Sequence, residues 1–291
     1  MELEDKNLYY VGGVVRDELL GKTSIDIDLC YEGNAIEFAQ SKQLDIIKKN
    51  DNLGTVRIMF NGKEVDIAST RCETYPQKGH LPALVELGCP LKQDLQRRDF
   101  TINAMAKKTI DGEIIDYYGG LEDLKSKTLR ILHKNSFVDD PTRIIRGLKF
   151  AVRFGFSPDE ETLSLQKQYL CDVNYDMSYH RLKKELVDAF SLNKKEVFEI
   201  FLENKMYKLL GKLQKAPNIN IKKAEELIKE NPSQYCWLTY LSFFDLSNLP
   251  LLRREKRILE WASKLETQPL GNNTPAESIL INRIRSEAYN V

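Results

Sequence analysis

Short runs of β-branched and aromatic residues, bounded by Gly, Asn or Asp, recur through residues 1–115: YYVGG, SIDIDLCY, LDIIKK, TVRIMF and EVDIA. Their length and their flanks predict five strands. Between them, VVRDELLG and GNAIEFAQSKQ space their apolar positions as helices do. Interleaved elements of this kind bury their apolar faces on one another, so the expected class is α+β: a head with a mixed five-stranded sheet and helices packed on it. The stretch Cys72–Lys92 carries Pro76, Gly79, Pro82, Gly88 and Pro90 and reads as a long loop. From about Tyr117 the strand signals stop. TRIIRGLKFAVRF, HRLKKELVDAF, KKEVFEIFLENKMYKLLGKLQK and IKKAEELIKEN all show helical spacing, punctuated by Pro217 and Pro232. The expected organisation is a head over 1–115, a helical neck over 116–190 and a short helical body over 191–291.

Charge adds a constraint. Lys+Arg and Asp+Glu each number 43 in 291 residues, which excludes a uniformly basic nucleic-acid coat but not a local patch. The 42% of hydrophobic residues suffices for a sizeable core. No apolar run approaches the ~20 residues that span a bilayer. MELEDKNLYY lacks the apolar stretch of a secretory signal, so no membrane association is expected. Five cysteines without a C-x-x-C fit reduced thiols in the cytoplasm and offer no zinc site. His80, His133 and His180 are scattered and are given no role. Trp237 and Trp261 read as helix-packing residues. Asn204–Lys223 holds six lysines and no acid. It is either a solvated helix face or a phosphate-contacting surface, with Lys205, Lys208, Lys212 and Lys215 as RNA-binding candidates. Arg253, Arg254, Lys256 and Arg257 form a second basic stretch.

The chemistry gathers near the N-terminus. In a strand, Asp26 and Asp28 point to one side while Ile27 points to the other. Two carboxylates a few Å apart repel unless a cation lies between them, and their hard oxygens suit Mg²⁺. Gly12-Gly13 follows a strand and opens a helix, letting backbone and helix N-terminus approach an anion. Arg16, in the first turn, is placed to reach a phosphate. A glycine cradle for phosphates followed by an acid pair is the equipment of nucleotidyl transfer. Asp66, flanked by Val65 and Ile67, projects from its strand as a third acid, either metal ligand or base, or as an ordinary exposed strand residue.

VGGVVRDELLGKTSIDIDL resembles the signature of the class II tRNA nucleotidyltransferases (CCA-adding enzymes) and bacterial poly(A) polymerases, roughly G-G-x-V-R-D-x-L-L-G, a spacer and D-x-D. RRDFTINAMA (97–106), DYYGGLEDL (116–124) and DDPTRIIRGLKFAVRFGF (139–156) follow in the family's order, and VDIASTRCETYPQKGHLP is similar to its segment leading into a flexible loop. No pattern matches beyond residue 195. The resemblance implies a polymerase beta-like head, two Mg²⁺ ions on Asp26 and Asp28, CTP and ATP as substrates and the tRNA 3′ end as acceptor. It further implies that Arg98, Asp99 and Asn103, with Arg97 less directly, serve the nucleotide. The doublet Arg97-Arg98 precedes a run that reads as helical, and its charge suits a triphosphate.

Asp140 and Arg143 stand at i and i+3, neighbours on a helix face. Adenine and cytosine both present an exocyclic amine beside a ring-nitrogen acceptor. A carboxylate accepts from the first and a guanidinium donates to the second, whereas guanine and uracil leave both mispaired, at about 1–3 kcal/mol each. In the family this motif is E-D-x-x-R; here Asp139 replaces the Glu. Arg146 and Arg153 continue the helix and are expected either to position Asp140 and Arg143 or to contact phosphates, with Arg146 counted among the nucleotide-binding residues, and Arg181 resembles a further pocket-supporting position. The expected function is template-independent addition of C and A to tRNA 3′ ends. CC-only, A-only and poly(A) activities share these motifs, and an inactive nucleotide- or RNA-binding protein is the reading outside catalysis.

Overall fold

The computed structural model describes residues 3–24, 27–80, 82–192, 194–265 and 274–288. Two compact units make it up, Met1–Asp139 with Ser157–Thr162, and Asp140–Phe156 with Leu163–Val291. The first unit thus runs past residue 115, where strand signals fade.

Its sheet contains the five expected strands, β1 (Leu8–Val11), β2 (Asp28–Tyr31), β3 (Asp45–Asn50), β4 (Thr55–Phe60) and β5 (Lys63–Ser69). Two more extend it, bringing the described strands to seven in the order β3-β4-β5-β2-β1-β8-β9. Strand β8 (Met105–Lys108) holds no β-branched residue, so pairing with β1 and with β9 (Ile114–Asp116) overrides its local preference. Among the described strands of this sheet, only β2 and β5 run parallel. One face packs Leu8, Leu29, Ile58 and Ile67 with Ile36 and Phe38 of α2 (Ala35–Ser41), a helix capped by the Asn34 side chain, which accepts from two backbone amides. The opposite face packs Tyr9, Val11 and Cys30 with Leu91 and Leu95 of α3 (Leu91–Gln96).

Two expectations change here. The Cys72–Lys92 stretch is not a plain loop: β6 (Arg71–Thr74) and β7 (Ala83–Leu87) form an antiparallel hairpin, and only 75–82 connect them. Nor does Arg97-Arg98-Asp99 open a helix. Arg97 closes α3, a 3₁₀ turn covers Thr101–Asn103, and the chain enters β8. The unit is completed by α1 (Gly13–Leu19), α4 (Gly120–Lys125), the short pair β10 (Thr128–Leu129) and β11 (Ser157–Pro158), and α5 (Ser136–Asp139). Asp116 accepts from the backbone amides of Gly120 and Leu121 at 2.9 Å each. A Cβ on Gly120 would stand 2.5 Å from the Thr101 carbonyl, which explains the second glycine of DYYGGLEDL.

The second unit is helical, as the 3.6-residue spacing predicts: α6 (Thr142–Phe154), α7 (Glu160–Cys171, whose first turn belongs to the first unit), α8 (Tyr179–Phe190), α9 (Lys195–Glu203), α10 (Ile221–Glu230), α11 (Cys236–Leu241), α12 (Arg253–Lys264) and α13 (Ala276–Ala288). Phe190, Phe198, Phe201 and Tyr240 pack ring to ring in its core, and Trp237 is buried beside them in sequence. KKEVFEIFLENKMYKLLGKLQK is not one helix. After α9, Lys205 takes a left-handed conformation (φ 56°) and a 3₁₀ turn spans Met206–Leu210. Lys205, Lys208, Lys212 and Lys215 therefore do not share a helix face, although the first and last two are exposed. No described helix is long and apolar enough to cross a membrane.

Candidate active site

Cross-strand register organises the site. Asp28 of β2 lies beside Asp66 of β5, Asp66 beside Arg57 of β4, and Arg57 beside Lys48 of β3. Partners in register share a face of the sheet, so Asp28, Asp66, Arg57 and Lys48 form one transverse row. Asp28 and Asp66 are exposed and line a cavity of about 540 Å³ together with Arg57, Arg97 and Arg98. Arg57 grips Asp66 through both carboxylate oxygens, at 2.7 and 2.8 Å. Asp26, expected as the other metal ligand, lies outside the described residues.

Would these residues suit a divalent cation? Two hard carboxylates on adjacent strands, open to one cavity, are the donor chemistry that Mg²⁺ takes. Among the described residues no cluster of three or more His, Cys, Asp or Glu is placed to hold a metal, so the set rests on Asp28 and Asp66, with Asp26 as its expected third member.

The cradle is built by Gly12 and Arg98. Gly12 has φ 71° and ψ −125°, a region open essentially to glycine alone. A Cβ there would come within 2.9 Å of the Arg98 Nη1. Gly13 is not crowded in this way. We expect Gly12→Ala to lose about 1–3 kcal/mol from backbone strain and to displace Arg98 from the cavity wall. Thermal unfolding tests this, and a variant melting with the parent chain refutes the strain.

Arg16 is not available to a phosphate, contrary to expectation. It is buried, its Nε and Nη2 donate to Asp17 at 2.9 and 2.8 Å, and its Nη1 donates to the Asn103 side-chain oxygen at 2.5 Å. Asn103 in turn donates to Asp99 at 2.9 Å, and Asp99 accepts from the Phe100 amide at 2.8 Å. Buried polar groups persist where their bonds are satisfied, and this chain ties α1 to the turn that carries the arginines.

Sequence reading also missed Asp94. It is fully buried and accepts from Arg97 at 2.8 and 3.0 Å, from Arg98 at 2.9 Å and from the Arg71 amide at 3.1 Å. Burial pushes its carboxyl upward, but Arg98 and Arg97 outweigh this and hold it below the usual carboxylate range. The signal was present as D-x-x-R-R, the i, i+3, i+4 spacing of helix neighbours. Arg98 faces the cavity with a buried Nε that has no hydrogen-bond partner among the described residues.

In the second unit, Asp140 and Arg143 are both buried. Asp140 does not lie on the helix face. It precedes Pro141, the N-cap of α6: one carboxylate oxygen accepts from the Thr142 amide (3.1 Å) and hydroxyl (2.6 Å), and the other accepts from Arg181 of α8. Arg143 follows in the first turn of α6. Arg181, read from the sequence as a pocket-supporting position, therefore meets Asp140. Arg146 instead pairs with Glu185 of α8 at 3.2 Å, which fastens α6 to α8. In the first unit Asp139 binds Lys78 at 2.7 Å.

The pattern of the poly(A) polymerase head domain matches residues 8–130. An A-adding tRNA nucleotidyltransferase of Aquifex aeolicus is 36% identical over 273 residues, covering 87% of this chain and 32% of its own length. The chain thus spans about a third of that relative. A CCA-adding enzyme in an apo form superposes with a TM-score of 0.79 at 30% identity, covering 94% of this chain and 74% of that one. The Thermotoga maritima CCA-adding enzyme complexed with tRNA-CCA does so with a TM-score of 0.75 at 31% identity, covering 94% and 73%. The structural likeness runs well past residue 195, where the sequence alone offered no pattern. By this likeness over both units, the chain belongs to the poly(A) polymerase head-domain family, that of the A-adding and CCA-adding tRNA nucleotidyltransferases.

Proposed function

We propose that this chain is a template-independent nucleotidyltransferase that extends tRNA 3′ ends with C and A from CTP and ATP, releasing pyrophosphate. The observation that carries the reading is the side-by-side placement of Asp28 and Asp66 on one cavity with Arg98. Asp28 and Asp66, with Asp26, supply the oxygens that would hold two Mg²⁺ ions. Bound there, such ions supply charge for the triphosphate and acidity for the attacking 3′-hydroxyl. Arg98 donates to the triphosphate, and Gly12 leaves room for it. Asp94 holds Arg98 in place, while Arg16, Asn103 and Asp99 brace the turn on which it stands. In the second unit, Asp140 accepts from the exocyclic amine of C or A, and Arg143 donates to the ring nitrogen. The lysines at 205, 208, 212 and 215 are assigned to the RNA backbone, and reduced thiols suit a cytoplasmic setting.

Addition of A alone is the second reading, favoured by the identity to the Aquifex A-adding enzyme. One assay separates the two. Transcripts ending at the discriminator base, in C and in CC are incubated with CTP or ATP alone. C added to the first two transcripts and A added to the third supports full CCA addition. A on the CC end with no C anywhere supports the second reading, and no addition at all overturns both. Asp140→Ala is expected to relax discrimination against GTP and UTP by about tenfold or more, since a mispaired buried group costs about 1–3 kcal/mol. Unchanged discrimination would remove Asp140 from base selection.

A further inference from the structure

The transverse row does not end at the acids. Between Ile46 and Lys48 the β3–β4 register shifts by one residue, leaving Ile47 unpaired. Without that bulge, Ile47 would stand opposite Arg57 and Lys48 would turn to the other face. The bulge therefore exchanges an isoleucine for a lysine on the face that bears Asp28 and Asp66, the kind of re-aiming bulges perform. Lysines on an edge strand guard against pairing with other chains, but that role needs no particular face and no bulge.

Lys48 directly opposite Arg57 is an unfavourable arrangement of like charges. Arg57 is balanced by Asp66 and Glu64. Lys48 has no ion-pair partner among the described residues, yet it lines the same cavity as Asp28, Asp66 and Arg98. A cation kept next to another cation, on a catalytic face, fits an anion that arrives with a substrate.

Strand order indicates which anion. In β3-β4-β5-β2-β1, the acids occupy the middle, Gly12 follows β1 on one side, and Lys48 lies on the other. At about 4.8 Å per strand, β3 stands roughly 14 Å from β2. In phosphoryl transfer the attacking and leaving oxygens are roughly in line, so with the triphosphate on the Gly12 side, the strand bearing the 3′-hydroxyl enters from the Lys48 side.

We infer that Lys48, aligned by the Ile47 bulge, binds a backbone phosphate of the RNA strand being extended, upstream of its 3′ end. The inference rests on the proposed transfer reaction. It is tested with the full chain, a fluorescent single-stranded-tailed minihelix ending in CC, and binding titrations at a series of KCl concentrations. Lys48→Gln is expected to make the salt dependence shallower by about 0.7 in log–log slope and to weaken binding about fivefold at 0.1 M salt, as loss of one phosphate contact on a single strand does. KM for ATP should stay unchanged, and Lys48→Arg should restore the slope. An unchanged slope overturns the inference. So does a raised KM for ATP with RNA affinity intact, which would place Lys48 on the triphosphate, and so does a parent chain that binds no RNA. Should the parent chain bind RNA with the Lys48-dependent slope yet add no nucleotide, the phosphate subsite stands and the transfer reading falls.

Discussion

Asp28→Asn is expected to lower nucleotide incorporation by about 10³-fold or more, because losing one charged oxygen ligand to the metal ions that would neutralise the reacting phosphate forfeits about 4 kcal/mol of transition-state stabilisation. The melting temperature should barely move. Asp28 is exposed, and exposed substitutions away from special backbone positions stay within about 0.5 kcal/mol. Asparagine keeps the shape, so the loss is one of charge. Single-turnover incorporation and thermal unfolding on the same preparation separate the two effects. Incorporation at the parental rate would detach the acid row from the chemistry, whereas a collapsed melting temperature would show Asp28 to be structural.

How far the sequence disclosed this site depended on the range of the interaction. Alternation in T-V-R-I and E-V-D-I exposes Arg57 and Asp66 on one parity of their strands, and the five strand runs are local signals. Register is another matter. That Lys48 meets Arg57 depends on a single unpaired isoleucine, and no propensity announces a bulge. Arg16 was misassigned for the same reason: its partner Asn103 is 87 residues away, and helical spacing is silent about it. β8 escaped because its strand character comes from the neighbours on both sides. The Cys72–Lys92 hairpin was masked by its own prolines and glycines, most of which sit in or beside the connection between β6 and β7. By contrast, α6 was bounded correctly, since its apolar stripe is continuous and Gly155 takes the left-handed cap that ends it.

Asp94 carries the largest expected effect on stability. Its side chain is fully buried between Arg97 and Arg98, whose own side chains are 19% and 18% exposed. Asp94→Ala leaves Arg97 with Glu73, at 3.0 Å, and takes the counter-charge from the largely buried Arg98 guanidinium, and breaking a buried pair on one side costs about 3–5 kcal/mol. In a unit of this size that corresponds to a fall in melting temperature of about 10 °C. The pH dependence has a defined sign. The folded-state carboxyl is held below its ordinary range, so the unfolded chain binds more protons as pH falls past about 4. The stabilisation is complete above that point and is lost on further acidification, through the folded-state value. Asp94→Asn removes the titrating group, so its stability should decline less steeply than that of the parent chain below about pH 4. Denaturant unfolding at pH 7 and across the acid limb provides both readings. Superimposed acid limbs would show that Asp94 keeps its ordinary titration, and a parental melting temperature in Asp94→Ala would show that the two arginines find solvent or another acid once it is gone. Arg98 would then be held in place by something other than this carboxylate, and the cradle's dependence on a residue behind it would fall with the prediction.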